Sequence, residues 1–218
     1  MPDKKIFGPR LFNRVLLYLL GNYVISFGLI LIAKANIGIT PVNSIPFTIS
    51  KILSRDLGLM TTITYLFLIL TQFIILGKKF HPINLLQIVF SSMYGSFISL
   101  NTRILFFFTP QTYWLQLLIV AVSVVICSFG IFLYLKANLI PLPPDGLNLA
   151  IEKKTGWKLH NIKMLTDTIF VATAIIVSLC AAGKIIGIRE GTVLMLASGK
   201  IMGLFSKHLG SKIDKLIN

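Results

Sequence analysis

The chain has 218 residues, 55% of them hydrophobic and only 13% charged, with 21 Lys and Arg against 7 Asp and Glu. A water-soluble domain carries about a quarter charged residues. This balance therefore excludes a soluble globule, a low-complexity disordered chain, collagen and a disulfide scaffold, and it points to lipid as the solvent. The bases punctuate apolar runs instead of forming one patch, which reads as loop charge facing anionic headgroups and not as a nucleic-acid surface.

Crossing the hydrocarbon takes about 20 apolar residues, and successive stretches along the chain meet that length. A basic N-terminal segment, residues 1–14, holds Lys4, Lys5, Arg10 and Arg14 and precedes the first span, Val15 to Ala33. Ala33-Lys34-Ala35 resembles a signal-peptidase site, but the apolar run is long for a signal peptide and further spans follow it. A break, Asn36 to Pro46, leads into a short apolar stretch ending at Ile52. Leu57 to Leu76 and Pro82 to Leu100 complete a first three-span unit, residues 15–108. After Thr109-Pro110-Gln111 a second unit, residues 113–206, opens with Tyr113 to Leu135. It continues through a break at Asn138 to Gly146 and a short stretch Leu147 to Ile151, then Ile162 to Gly183 and Ile188 to Ser206. A basic tail, residues 207–218, closes the chain. Cys127 and Cys180 sit mid-run without ligand spacing, which predicts packing residues and no metal or redox pair.

Six spans place Lys4, Lys5, Arg10, Arg14, Lys78, Lys79, Lys136, Lys153, Lys154, Lys158, Lys163, Lys200, Lys207, Lys212 and Lys215 on one side. Lys34, Lys51, Arg55, Arg103, Lys184 and Arg189 fall on the other. Basic loops stay cytoplasmic, so both termini are expected inside.

The two units are similar to each other. Phe27-Gly28 to Lys34-Ala35-Asn36 recurs as Phe129-Gly130 to Lys136-Ala137-Asn138. Pro41 and Asn43 correspond to Pro143 and Asp145, Thr61-Thr62-Ile63 to Asp167-Thr168-Ile169, and Gly95 to Gly203. A unit with an odd number of spans enters the membrane from opposite faces in its two copies. The expected fold is therefore all-α: a polytopic membrane protein of six transmembrane helices in two inverted three-helix repeats. Each repeat has a short broken or re-entrant helix after its first span. In proteins built this way solute binds near the midplane, at Gly/Pro-interrupted segments in equivalent positions.

Those segments supply the candidate substrate site: Asn36, Pro41, Asn43, Ser44, Asn138, Pro143 and Asp145. Proline is tolerated in a first helical turn, and Asn43, Ser44 and Asp145 are suited to accept from free N–H groups there. Asn36 and Asn138 can brace the broken backbone or touch solute. A short helix lying flat would be structural, whereas a re-entrant one would aim its N–H groups into the membrane. Asp167 lies within the fifth span with Lys163 one turn before it, open to either an ion pair or a coupling role. Lys34 and Lys136 end their spans, suited to snorkelling or to substrate. Asn84, Gln87, Ser91 and Gly95 form a polar and small stripe, matched in part by Thr192, Gly199 and Gly203, for helix packing or cavity lining. The aromatics Phe106, Phe107, Phe108, Tyr113, Trp114 and Trp157 read as interfacial belts. No phosphate loop, zinc-protease helix or nucleophile elbow occurs, so neither an enzyme nor a bound cofactor or metal is expected.

The chain resembles the YitT/YczE/YyaS-like family of bacterial integral membrane proteins. The resemblance runs through R-x-L-x-Y-x-x-G (Arg14 to Gly21), G-x-x-L-x-x-K-A-N-x-G-x-x-P (Gly28 to Pro41), Asp167 and G-x-x-E-G-T (Gly187 to Thr192), covering about Arg14 to Phe205. One departure is Ser99, where similar sequences often carry a carboxylate. The resemblance implies a multi-pass protein of the bacterial plasma membrane and leaves substrate open. The expected function is a small-solute transporter or permease, with the lipid bilayer and an unknown solute as partners and a homodimer as a possible assembly. Alternatives are a substrate-binding membrane subunit of an ATP-driven importer and a non-transporting accessory or regulatory protein.

Overall fold

The structure is a computed structural model that describes residues 11–195 and 198–217. Lys4, Lys5 and Arg10 of the expected basic segment lie outside the described residues. Local chemistry sets the helix ends. Helix α1 (Leu11–Ala35) stops where Asn36 turns left-handed at φ 58°, and α5 (Tyr113–Ala137) stops in the same way at Asn138, φ 46°. Asparagine tolerates that conformation better than other residues bearing a Cβ. Helix α3 (Leu57–Leu76) starts on Asp56, whose carboxylate accepts the Leu59 N–H at 2.9 Å, and ends at Gly77, φ 51°.

The two breaks lead into short helices, as the sequence predicts. A 3-10 turn at Pro41–Asn43 feeds α2 (Ser44–Leu53), and α6 (Pro143–Thr155) begins directly on its prolines. The capping expected of Asn43, Ser44 and Asp145 is not what these side chains do. Neither Asn43 nor Leu142, which hold the cap positions, makes a side-chain cap bond, and Ser44 Oγ donates back to Pro41 O at 2.7 Å. The physical reason at α6 is that Pro143 and Pro144 remove two of the N–H donors a cap would satisfy.

The remaining elements are α4 (Leu86–Ile104), α7 (Leu159–Ala182), α8 (Glu190–Leu194) and α9 (Ser198–Ile217). Among the described residues, five helical segments are long and apolar enough to cross a membrane: Leu11–Ala35, Leu57–Lys79, Pro82–Ile104, Tyr113–Ala137 and Leu159–Ala182. The stretch expected as a sixth continuous span is built differently. Its start forms only the short α8, and helix α9 runs on past Ser206 to Ile217, carrying Lys200 and Lys207. No strand occurs among the described residues.

Polarity is distributed inside out. Phe67, Phe73, Ile74, Val89 and Leu118 are exposed on the outer faces, while Asn22, Ser26, Gln72, Gln87, Asn101, Ser123 and Thr166 are buried. Contiguous apolar surface of this extent has no place in water, so the chain is an integral membrane protein. Phe106, Phe107, Trp114 and Trp157 are exposed near helix ends, where belt residues belong. Of the two cysteines, Cys127 is buried and Cys180 is exposed on α7, so the packing role expected of Cys180 does not hold.

The centre of the fold is the crossing of α1 with α5. A Cβ added to Gly21 would meet Tyr134 N at 2.6 Å and Gly130 O at 2.9 Å, and one added to Gly28 would meet Cys127 Sγ at 2.6 Å. Residue numbers rise on one helix as they fall on the other, so the pair is antiparallel. Arg14 closes one end of the crossing: its Nε donates to Ala137 O at 2.9 Å, and its guanidinium also reaches Asn138 O. A cation thus sits on the last carbonyls of α5, where the helix dipole favours it. Around this pair α4 packs on α1 and α9 on α5, while each short helix crosses over: α2 packs on α7, and α6 on α3. Gly58 and Gly95 bring α3 and α4 into backbone contact, but Gly199 and Gly203 of α9 face no neighbour among the described residues, so the packing expected of the second small-residue stripe is not seen at those two positions.

Candidate functional site

One face of α1 carries polar groups at four-residue steps through the interior. Tyr18, Asn22 and Ser26 are each fully buried, and the next step in the same row, Ile30, leads to Lys34. Asn101 of α4 closes on this row by donating from Nδ2 to Ser26 Oγ at 2.8 Å. Several polar atoms of the row are buried without a hydrogen-bond partner among the described residues. Tyr18 Oη lies beside Asn22, yet neither it nor Asn22 Oδ1 makes a hydrogen bond of normal geometry, and Asn101 Oδ1 is also unpaired and buried. Buried polar groups are nearly always paired, and leaving one unpaired costs about 1–3 kcal/mol. Beyond Ile30 the row enters an open cleft of about 380 Å³ lined in part by Ile30, Ala33, Lys34 and Thr102. From Tyr18 to Lys34 the row covers about 24 Å of helix at ~1.5 Å per residue.

At the inner end the row meets the start of α6. Tyr18 packs edge-on to Tyr134 of α5, ring centres 5.5 Å apart. Tyr134 Oη donates to Asp145 Oδ2 at 3.0 Å and accepts the Leu142 N–H at 2.7 Å, so one hydroxyl holds both the break and its carboxylate. Burial pushes the Asp145 carboxyl above the usual carboxylate range, against the opposing pull of Lys163 and of the Tyr134 bond. Tyr65 and Tyr94 stack at 5.9 Å on α3 and α4; Tyr65 is within electrostatic reach of Asp145 and Tyr18, and the Tyr94 hydroxyl approaches Asn43. Asn43 Oδ1 is a further buried acceptor without a partner, its Nδ2 being spent on Thr40 Oγ1 at 2.9 Å.

The sequence-predicted residues thus divide. Asn43 and Asp145 approach the buried tyrosines of this cluster. Pro143 and Gln87 border it: Gln72 and Gln87 exchange two amide bonds of 3.1 Å each, and Gln72 Nε2 also donates to Pro143 O at 3.1 Å. Replacing Gln72 with alanine strands the Gln87 amide and removes the bond that ties the start of α6 to α3, and it is expected to cost ~2–3 kcal/mol of stability. The paired change Gln72→Leu, Gln87→Met should recover most of that in a thermal melt; equal losses in both variants would show that the pair does not anchor α6. Pro41 and Ser44 are buried in the opposite short-helix turn. Asn36 and Asn138 are exposed at their left-handed turns, apart from the cluster. Asn84 lies half-buried in the 3-10 turn Pro82–Leu85 ahead of α4. Asp167 pairs with Lys163 at 3.8 Å, and that lysine lies within electrostatic reach of Asp145 as well.

Lys34 donates to Phe106 O at 3.1 Å with its ammonium 5.9 Å from that ring centre, and Lys136 is bound by both oxygens of Asp214 at 2.8 Å. Ser99, the position that departs from similar sequences, donates to the Asp56 carboxylate. Tyr18, Asn22, Ser26, Asn101, Tyr134 and Gln72 are functional candidates that sequence reasoning passed over; the four-residue recurrence Tyr18-Asn22-Ser26 was the available signal. Among the described residues no group of three or more His, Cys, Asp or Glu comes together to hold a metal ion. A family model described as a family of unknown function (DUF6198) matches residues 12–207. No curated protein and no solved structure matches the chain.

Proposed function

The chain belongs to the DUF6198 family, which brings no assigned activity, and from the chain's own geometry we propose that it is a small-solute permease of the bacterial plasma membrane. Its kinship to YitT/YczE-like proteins is part of this reading. The observation that carries it is the buried row Tyr18-Asn22-Ser26 with Asn101, in which Asn22 Oδ1 and Asn101 Oδ1 have no bond among the described residues and which leads from Asp145 towards an open cleft. Such groups are costly in a stable fold and useful where a solute with hydrogen-bond donors passes.

The architecture in this reading is a six-pass inverted repeat, with α8 and α9 as a broken last passage and both termini cytoplasmic. Reciprocal contacts support it. Gly28 faces Cys127 as its counterpart Gly130 faces Ile25, the counterpart of Cys127. Lys34 reaches Phe106 as Lys136 reaches Asp214. Helix α2 lies on α7 as α6 lies on α3, and α4 lies beside α1 as α9 lies beside α5. Asn43 and Asp145 then occupy equivalent places with different charge, which makes the site asymmetric. Ile30, 2% exposed, is the apolar step between the polar row and the cleft, and in this reading it is the constriction.

The test is uptake by proteoliposomes containing the purified chain, screened over a panel of small solutes, with Asp145→Asn and Asp167→Asn beside the parent. At least one solute is expected to accumulate above protein-free vesicles, and Asp145→Asn is expected to lower that uptake tenfold or more. Uptake unchanged in both variants removes the carboxylates from the site, and uptake of no solute removes the permease. A C-terminal fusion reporter active only outside the cell would contradict the topology.

A further inference from the structure

The cleft at the outer end of the row has chemistry of its own. Lys34 at the end of α1, Lys51 in α2 and Arg55 in the α2–α3 connection all line it, so three cations from three parts of the chain converge on one space. Its apolar wall is Ile30, Ala33, Phe47 and Leu57. The one acid in the lining, Asp56, accepts the Leu59 N–H and the Ser99 hydroxyl on one oxygen, so the cleft carries three positive charges against one negative. Arg55 has no ion pair among the described residues, and the two ammoniums lie over rings, Lys51 Nζ 5.4 Å from the Phe47 ring centre and Lys34 Nζ 5.9 Å from that of Phe106. An aromatic face attracts an ammonium and keeps it in place at the cleft wall.

We infer that this cleft is a phosphate-ester binding site, formed by Lys34, Lys51 and Arg55 above an apolar wall. Its size falls in the range of small-molecule sites, and a guanidinium with two ammoniums matches a phosphate monoanion better than a neutral or cationic group. Phe106, 78% exposed beside Lys34, places the cleft at headgroup level. The phosphate can belong to an anionic lipid or to a soluble molecule; both present the same oxygens. The inference concerns a second site and holds whether or not solute crosses the membrane along α1.

The experiment uses the full chain in a neutral maltoside detergent, following its unfolding midpoint against short-chain phosphatidylglycerol, short-chain phosphatidylcholine and inorganic phosphate. Phosphatidylglycerol is expected to raise the midpoint at concentrations at least tenfold below those at which phosphatidylcholine acts. A response to phosphatidylglycerol alone assigns the site to lipid, and an equal response to inorganic phosphate assigns it to a free anion. The triple variant Lys34→Gln, Lys51→Gln, Arg55→Gln is expected to lose the response tenfold or more, while Lys78→Gln, Lys79→Gln, Lys153→Gln, which removes as much charge elsewhere, keeps it. Arg55→Gln alone, at an exposed position clear of the packing, should lose it several-fold, and Arg55→Lys should retain most of it. Equal responses to the two lipids without a phosphate effect, no response at all, or equal losses in the two triple variants would overturn the site.

Discussion

Valine in place of Gly21 is expected to separate α1 from α5 and to cost ~3 kcal/mol or more, the upper end of what overpacking does. The neighbours a side chain would meet are Tyr134 N and Gly130 O, at 2.6 and 2.9 Å from the first added carbon alone. Both are backbone atoms inside a helix, so neither can swing aside as a side-chain terminus could. The whole crossing would have to widen, and the Arg14 bonds to the end of α5 and the Tyr18–Tyr134 contact would be lost with it. A drop in the melting midpoint on the order of 10 °C corresponds to that cost in a chain of this length, together with loss of the monodisperse peak in size exclusion. Gly203→Val is the control, because a Cβ there meets nothing within 4 Å. If Gly21→Val melts with the parent while remaining monodisperse, the antiparallel crossing is not the centre of the fold.

The same crossing explains what the sequence could and could not disclose. Helix α3 has the ends that the apolar run Leu57 to Leu76 predicts, and the structure shows why: an acidic cap at Asp56 and a glycine stop at Gly77 bracket it, all of it local information. The short helices were legible for the same reason: an Asn that can turn left-handed, followed by prolines that can begin a helix, marks a break wherever the chain lies. The last stretch, Ile188 to Ser206, was less legible because a run of apolar residues does not show where the charges fall: it holds the short α8 and the first part of α9, which goes on to Ile217 as an amphipathic helix. The motif residues Arg14, Tyr18 and Gly21 read as an undifferentiated string. Three-dimensional contact separates them into a clamp on a helix end, a ring in the polar cluster and a spacer at the crossing. Nothing local distinguishes Asn22 from a packing asparagine either; what distinguishes it is that its acceptor is buried without a partner.

That property sets stability against function at Asn22. A residue kept for packing should destabilise the chain when replaced, whereas one kept for a passing solute should not. Among the described residues Asn22 Nδ2 bonds to the Tyr18 carbonyl one turn back, which the helix ladder already serves, and Oδ1, though near the Tyr18 hydroxyl, makes no bond of normal geometry. Replacing it with leucine, close in size, removes the unpaired acceptor and its penalty of about 1–3 kcal/mol at the loss of one redundant bond. The expected result is a melting midpoint equal to or a few degrees above the parent's, with uptake of the transported solute reduced tenfold or more. Stabilisation bought at the expense of activity is the signature of a functional position. Asn148 provides the contrast: its Oδ1 accepts from Thr166 Oγ1 at 2.8 Å and joins α6 to α7. Asn148→Leu is accordingly expected to lower the midpoint, because it removes the bond between α6 and α7 and leaves the Thr166 hydroxyl only the Lys163 carbonyl of its own helix at 3.1 Å. If Asn22→Leu instead melts early and transports normally, the row along α1 is scaffold and the path of the solute lies elsewhere.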